Sequence, residues 1–487
     1  MINSINNVTS YILVALLIGV GLYLTFRSNF VQIRLFPEMF KALTEKKTKK
    51  RRSVSFQAFC ISAASRIGAA NISGVAIAIT TGGPGAIFWM WVIAAIGMAT
   101  GFVESMLAQV YKVREDGQFR GGPAYYIERA LGKRWLGIVF AILIAVTFGF
   151  IFNSLQANTI TEAMDNAFNF DPFIVGIIIS LAVGSLSFGG IRSISVFSSI
   201  VVPIMAVLYL AVVGYVVVTN YTAIPDVFSL IVGNAFGFRE ATVGIFAGLL
   251  VGAQRGLFSN EAGMGSVPNA AATADVSHPV KQGLVQSLGV FFDTMIICSA
   301  TAFVILLTDV YVTFDSDIGG VALTQDSLSL LVGDWAVPFI AIAIFFFSFT
   351  SLVGNYYYGE TNLAFIKEGT IWLQVYRLLV MGMIIFGSLA AIELVWDMAD
   401  VFMAFTTVVN LVVIVLIGRI SFAVINDYTA QKKQGKNPVF KSKNIPGLKN
   451  ADTWMIKIKQ ALHNEELVFL VYFHDLSHTF KEREKER

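Results

Sequence analysis

The chain has 487 residues, 56% of them hydrophobic and only 14% charged, with a formal net charge of +3 at neutral pH and a mean hydropathy of +0.70. A water-soluble protein of that length needs more charge to cover its core. The composition therefore excludes an ordinary soluble enzyme and makes lipid the main solvent. Two cysteines, Cys60 and Cys298, lie in apolar segments with no nearby His or Cys, which excludes a metal ribbon or disulfide framework and leaves them as packing residues.

In chain order, the first ten residues, MINSINNVTS, carry no Lys or Arg. A cleaved signal peptide needs a basic leading region, so 10–26 reads as a retained membrane helix. A spanning helix needs ~20 largely apolar residues. Eleven stretches qualify, near 10–26, 54–79, 85–111, 134–165, 172–189, 192–219, 241–266, 282–308, 335–366, 370–389 and 395–425. The loop after the first is dense in Lys and Arg, which places it in the cytoplasm. Alternation then puts 112–120 (KVREDGQFR), 278–282 (HPVKQ) and the tail from Asn426 inside. The outward loops 165–171 and 309–334 contain no Lys or Arg. The N-terminus is thus expected outside and the C-terminus inside. The stretch 313–333 reads as a short outer surface helix or lid. The segment 453–473 reads as an amphipathic helix on the inner leaflet or a small cytoplasmic helix.

Two spans are interrupted. SAASRIGAANISGVAIAIT (62–80) and GLFSNEAGMGS (256–266) crowd Gly, Ala, Asn and ionisable residues where leucine and valine would continue a helix. They stand five spans apart. Five is odd, so the second block crosses the membrane in the opposite sense: spans two to six and seven to eleven form an inverted repeat. The chain divides accordingly into 1–53, one helix and a basic loop; 54–220, the first repeat; 221–425, the second; and 426–487, a cytoplasmic tail. Backbone freed from a helix in hydrocarbon must line a polar cavity. Freed N–H groups suit a carboxylate and freed carbonyls a small cation. Small residues alone would also serve close helix packing, but that leaves Asn71, Asn260, Glu261 and the five-span offset unexplained.

Among the charges inside the spans, four need accounting: Arg66, Glu104, Arg255 and Glu261. Each costs ~3 kcal/mol at the bilayer centre on insertion scales. Arg66 and Glu261 are expected in a gating network on the inner side, with a static ion pair as the alternative. His474 and His478, four residues apart, lack a carboxylate to complete a metal set and belong to a solvated tail. No HExxH, G-x-S-x-G or nucleotide-binding motif occurs, which argues against an enzyme or an ATP-driven pump. Nothing points to a nucleic acid partner. A channel would favour rings around a continuous pore, whereas central breaks in an inverted repeat favour alternating access.

RIGAANISGVA (66–76), GGPAYYIERALG (121–132), GLFSNEAGMGS (256–266) and NYYYGE (355–360) resemble the alanine or glycine:cation symporters, and the resemblance covers about residues 55–425. It implies an all-α, leucine-transporter-like fold of about eleven membrane helices, two inverted five-helix repeats with one extra helix in front. It implies sodium-coupled uptake of a small neutral amino acid, alanine or glycine, by a protein of the bacterial cytoplasmic membrane, expected to work as a monomer. Substrate-binding residues are expected at Ala69, Ala70, Asn71, Gln156, Phe258, Ser259, Ser351 and Asn355. The sodium site shared by the fold falls on carbonyls of Ala64 and Ile67 and hydroxyls of Thr350 and Ser351. Two departures stand out. The family's Gly-Thr-Gly-Asn is Gly68-Ala69-Ala70-Asn71 here, and its pocket tryptophan is Asn355. The second suggests a wider, more polar pocket, with glutamine as the alternative substrate. Proton coupling through Glu261 is the alternative to sodium.

Overall fold

The computed structural model describes residues 2–45, 54–115, 117–188, 190–237, 244–313, 320–367 and 369–454. It is almost wholly helical, as a chain that must satisfy its backbone inside lipid requires. Helix α1 (Ile2–Arg27) is followed by the short amphipathic α2 (Phe36–Thr44). The first broken span is α3 (Val54–Arg66) and α4 (Ala69–Gly82), bent by 42° at Ile67 and Gly68. Then come α5 (Gly85–Val110), a hairpin of β1 (Val113–Glu115) and β2 (Gln118–Arg120), and α6 (Pro123–Leu131). The long α7 (Arg134–Phe168) carries a π-helical stretch at Thr147–Phe152. It is followed by α8 (Pro172–Phe188), α9 (Gly190–Thr219) and α10 (Ile224–Ala235).

The second broken span is α11 (Ile245–Asn260) and the short α12 (Val267–Ala272). Helix α13 (Val280–Leu306) has its own π-helical stretch at Phe291–Cys298. Next are α14 (Gly320–Val332), α15 (Ala336–Ile366), α16 (Thr370–Leu389), α17 (Ile392–Leu416) and α18 (Gly418–Lys433).

Among the described residues, eight helices are long and apolar enough to cross a membrane, or nine with the bent α3–α4 pair. The expected fifth span is the 17-residue α8, and the expected seventh is the 16-residue α11, which ends at its break. The last expected span, 395–425, stops at Leu416; the chain turns there and α18 starts. Periodicity could not show this, because α18 continues the apolar run through Ile425.

Close approach of the broken spans to α5 is set by glycine. Gly248, Gly252 and Gly256 recur every four residues on α11; a Cβ at Gly248 would lie 3.0 Å from the Gly82 carbonyl and one at Gly256 3.2 Å from Met90 Cα. This is the small-residue packing of membrane helices. On the outer faces of α8, α9 and α16, exposed Ile178, Leu181, Val207, Val218, Leu378 and Leu379 suit contact with acyl chains.

Segments expected inside gather at one end. Lys281 bonds Glu45 at 2.6 Å and Asn437 at 2.8 Å, Lys112 bonds the Ala274 carbonyl, and the tail reaches back so that Trp454 donates to the Gln109 carbonyl. At the opposite end Asn166 donates to Gln325 of α14, and a Cβ on Gly320 would press on Ser73 of α4. Helix α14 therefore packs closely on α4. Of 453–473 only 453 and 454 are described; the rest, with His474 and His478, lies outside the described residues.

Candidate functional site

The two breaks lie side by side and are built differently. At Gly68 the chain leaves the helix (φ −158°, ψ −141°). What demands glycine is space: a Cβ would strike Ser351 Oγ and lie 2.7 Å from Gln156 Oε1. Asn71 closes the break on itself, its Oδ1 accepting from the Gly68 N–H at 3.1 Å, and its amide donates toward Ser259 Oγ and the Asp293 carbonyl, both 3.3 Å away. The second break turns at Glu261, a non-glycine residue in the left-handed region (φ 54°). That conformation is uncommon outside glycine, Asn and Asp. Gly263 (φ 96°) and Gly265 (φ 79°) continue the turn and point their N–H groups at Glu104, 3.0 and 3.2 Å away. The glycines of GLFSNEAGMGS thus wrap freed backbone donors around a buried carboxylate.

Of the expected substrate residues, Gln156 and Ser351 abut Gly68, and Asn71 links the break to Ser259. The Ala69 N–H donates to Gln156 Oε1 at 2.9 Å, the Ser351 hydroxyl sits against Gly68, and Ser259 bonds Thr294 at 3.0 Å. Phe258 packs edge-on against Phe152 (4.8 Å) and Trp396 (5.4 Å). Such a wall of three rings is apolar and rigid. All these groups are buried. The Asn71 side chain, on Gly68, Ser259 and the Asp293 carbonyl, holds the break in shape.

Asn355 stands beside the first half-helix. Its Oδ1 lies 2.6 Å from Ser65 Oγ, and Ser65 reaches Glu261 Oε1 at 2.9 Å. The amide is engaged with the first half-helix, so replacing the family's tryptophan adds a link between helices. Proximity in three dimensions decides this, and no local pattern carries it.

The four oxygens expected to hold sodium come together. Thr350 Oγ1 lies 3.5 Å from the Ala64 carbonyl, and Ser351 Oγ lies 3.2 Å from the Ile67 carbonyl. Both hydroxyls also bond the Phe347 carbonyl of their own helix, at 2.8 and 3.1 Å. Two carbonyls and two hydroxyls are hard, neutral oxygens, the donor set that fits a small hard cation. No group of three or more His, Cys, Asp or Glu suited to a metal occurs among the described residues.

Charges inside the protein pair otherwise than expected. Arg66 meets Asp293 on the π-helical stretch of α13 (Nε–Oδ2 2.8 Å), not Glu261. Glu261 instead accepts from Ser65 and from Ser266, the latter at 2.5 Å. Glu104 also accepts from Asn410 at 2.7 Å. Arg255 pairs with Asp400 at 2.5 Å and lies 4.5 Å over the Trp396 ring. Asp293, Trp396, Asp400 and Asn410 were missed by sequence reasoning. A full inventory of carboxylates within the apolar stretches would have found both aspartates; Trp396 and Asn410 carry no such signal.

This architecture has relatives. The family model described as the sodium:alanine symporter family matches residues 1–442. The amino-acid carrier protein AlsT of Bacillus subtilis is 56% identical over 90% of this chain and 94% of its own. The probable sodium/glutamine symporter GlnT of the same organism is 50% identical over 94% and 96%. Among solved structures, MhsT in complex with L-phenylalanine superposes with a TM-score of 0.55 over 85% of this chain and 96% of its own, at 13% identity, a likeness of fold. The chain is an integral membrane protein and a secondary transporter that belongs to the sodium:alanine symporter family.

Proposed function

We propose that the protein carries alanine or glycine into the cell together with sodium. The observation behind this reading is that Gly68 sits at the meeting point of two sites. It abuts Gln156 and, through Asn71, is linked to Ser259 beside Phe258, groups that suit a small zwitterion; the adjoining Ala64 and Ile67 carbonyls face Thr350 and Ser351, which suit sodium. Ser351 touches both. A cation there ties α3 to α15 and fixes the break, which presents the Ala69 and Ala70 amides to the substrate carboxylate. Gln156 Oε1 now holds the Ala69 N–H and yields it to the carboxylate on binding. The ammonium group then meets carbonyls near Phe258 and Ser259, or the freed Gln156 amide. The three-ring wall offers ring carbons rather than partners for a polar side chain, and the Asn355 side chain is engaged with Ser65. Both features support a small substrate over glutamine.

In this reading the short α8 and the broken α11–α12 each count as a span, giving eleven, with α1 in front of inverted repeats at 54–220 and 221–425. The cluster of Glu45, Lys112, Lys281 and the tail from 426 marks the cytoplasmic end by the positive-inside rule. The N-terminus lies outside, in a bacterial cytoplasmic membrane, and one protomer suffices. Arg66 and Glu261 belong to one inner-side gating cluster, through Asp293 and Ser65.

The test is uptake of radiolabelled alanine into proteoliposomes, with and without an inward sodium gradient. Saturable, sodium-dependent uptake that glycine competes is expected. Competition by glutamine at equal concentration would reassign the substrate, and uptake indifferent to sodium would overturn the coupling.

A further inference from the structure

Helix α1 ends at Arg27, the last residue of the apolar span Val8–Arg27. The chain then turns on two consecutive non-glycine residues in the left-handed region, Asn29 (φ 54°) and Phe30 (φ 52°, ψ 49°). A bulky residue in that region is a genuine outlier. The turn is held by the Asn29 N–H, which donates to the Phe26 carbonyl at 3.1 Å, and by the Phe30 N–H, which donates to that of Thr25 at 2.8 Å. It doubles the chain back through one helical turn, Val31–Arg34, so that the Arg34 guanidinium donates to the Ser28 carbonyl at 3.3 Å. Arg27 and Arg34 thereby line one cavity of about 270 Å³ against α18, and the Arg27 guanidinium lies 5.0 Å over the ring of Phe422, which lines it too.

Among the described residues no carboxylate lines this cavity. The acids of neighbouring segments are engaged elsewhere: Glu38 holds Lys41 and Lys432, Glu45 holds Lys281, and Asp427 holds His278. The lining instead adds the neutral amides of Asn29 and Asn426. One edge is apolar. Phe26 belongs to the lining and shares a face of α1 with exposed Leu22 and Tyr23, and Phe26, Phe30 and Ile33 are themselves exposed.

We propose that this cavity binds the phosphate headgroup of an anionic phospholipid, whose acyl chains lie along Phe26, Phe30 and Ile33. Arginine suits phosphate because its planar donors match two phosphate oxygens at once. Basic pockets at the ends of membrane helices recognise headgroups in this way. A zwitterionic phospholipid brings its own cation, which two arginines repel, so an anionic headgroup is preferred. Inorganic phosphate shares the chemistry of the headgroup but has no use for the apolar edge. Only the choice of the inner leaflet rests on the orientation proposed above.

The experiment uses the full-length protein in bilayers of phosphatidylcholine and phosphatidylglycerol, with a bimane fluorophore on Ile33→Cys, a position beside the cavity that does not line it. Cys60 and Cys298 are buried and stay unlabelled. Phosphatidylglycerol brominated in its acyl chains is expected to quench the fluorophore more strongly than brominated phosphatidylcholine at equal mole fraction. Arg27→Gln or Arg34→Gln should lower that preference about fivefold, the effect of one basic residue near an anionic lipid surface, and the two together should abolish it. Lys367→Gln removes an exposed cation just past the end of α15, outside this cavity, and should leave the preference unchanged. Equal quenching by the two lipids in the wild type, or a preference that survives the double change, overturns the proposal. So does an equal loss in Lys367→Gln, which means diffuse attraction to a basic surface. A preference that inorganic phosphate removes assigns the cavity to a soluble anion and overturns the lipid. No arm measures transport; failure of the transport reading shows separately, as no amino-acid uptake by wild type.

Discussion

Replacing Ser351 with alanine separates the cation site from the rest of the fold. The hydroxyl is fully buried, 3.2 Å from the Ile67 carbonyl and 3.1 Å from that of Phe347. Without a cation its removal costs one neutral hydrogen bond, about 1 kcal/mol. It causes no clash, because Ser351 Oγ is what a Cβ at Gly68 would meet. With a cation bound, the same oxygen faces a full charge, and polar contacts to charged groups are worth about 1.5–3 kcal/mol. The sodium half-saturation constant should therefore rise about 10- to 150-fold. The assay is alanine uptake into proteoliposomes across a sodium titration, with the alanine KM measured again at saturating sodium. Thr350→Val, which keeps the shape and loses the other hydroxyl, should act in the same direction. Ser348→Ala is the control: that hydroxyl is buried on α15 without a hydrogen-bond partner, and its loss should leave the sodium dependence within about twofold of wild type. A sodium curve for Ser351→Ala that superposes on wild type would refute the site. It would leave both hydroxyls with no task beyond bonding the Phe347 carbonyl of their own helix.

Two further outcomes follow from the buried charges. Asp293→Asn leaves the Arg66 guanidinium uncompensated in a fully buried place, which costs about 3–5 kcal/mol; thermal unfolding in detergent should drop sharply, and the double change Arg66→Met with Asp293→Leu should recover most of the loss. At the cytoplasmic end, burial holds the His278 ring below its ordinary value of 6.5, only partly offset by Asp427. The ring is neutral, Nδ1 accepting from the Val280 N–H at 3.3 Å and Nε2–H donating to Asp427 at 3.1 Å. Below about pH 6.5 the unfolded chain takes up a proton that the folded ring refuses. Stability should therefore be flat above that value and fall as pH drops toward the lowered folded one. Melting temperatures from about pH 8 to pH 5 check this, and His278→Asn should flatten the slope.

The proportion of apolar residues and the basic loops determined that this chain lives in lipid. The runs of about twenty apolar residues located most of its helices, because in hydrocarbon only an unbroken helix satisfies its own backbone. The same rule made the breaks legible: glycine, alanine and asparagine at 66–74 and 256–266 stand out against leucine and valine. The meeting of Ala64 and Ile67 with Thr350 and Ser351 is implied by the family resemblance rather than by this rule, and the structure places Thr350 beside the Ala64 carbonyl and Ser351 beside that of Ile67. Tertiary structure decided the partners. Arg66 lies closer in the sequence reading to Glu261, yet it pairs with Asp293, because the π-helical stretch of α13 turns that aspartate toward the break. The packing of α15 against α3 gives Asn355 its Ser65 partner, which no local pattern announces. Which side chain a buried charge or amide meets depends on how helices distant in sequence rotate and lean against one another, and hydropathy along one chain holds no record of that rotation.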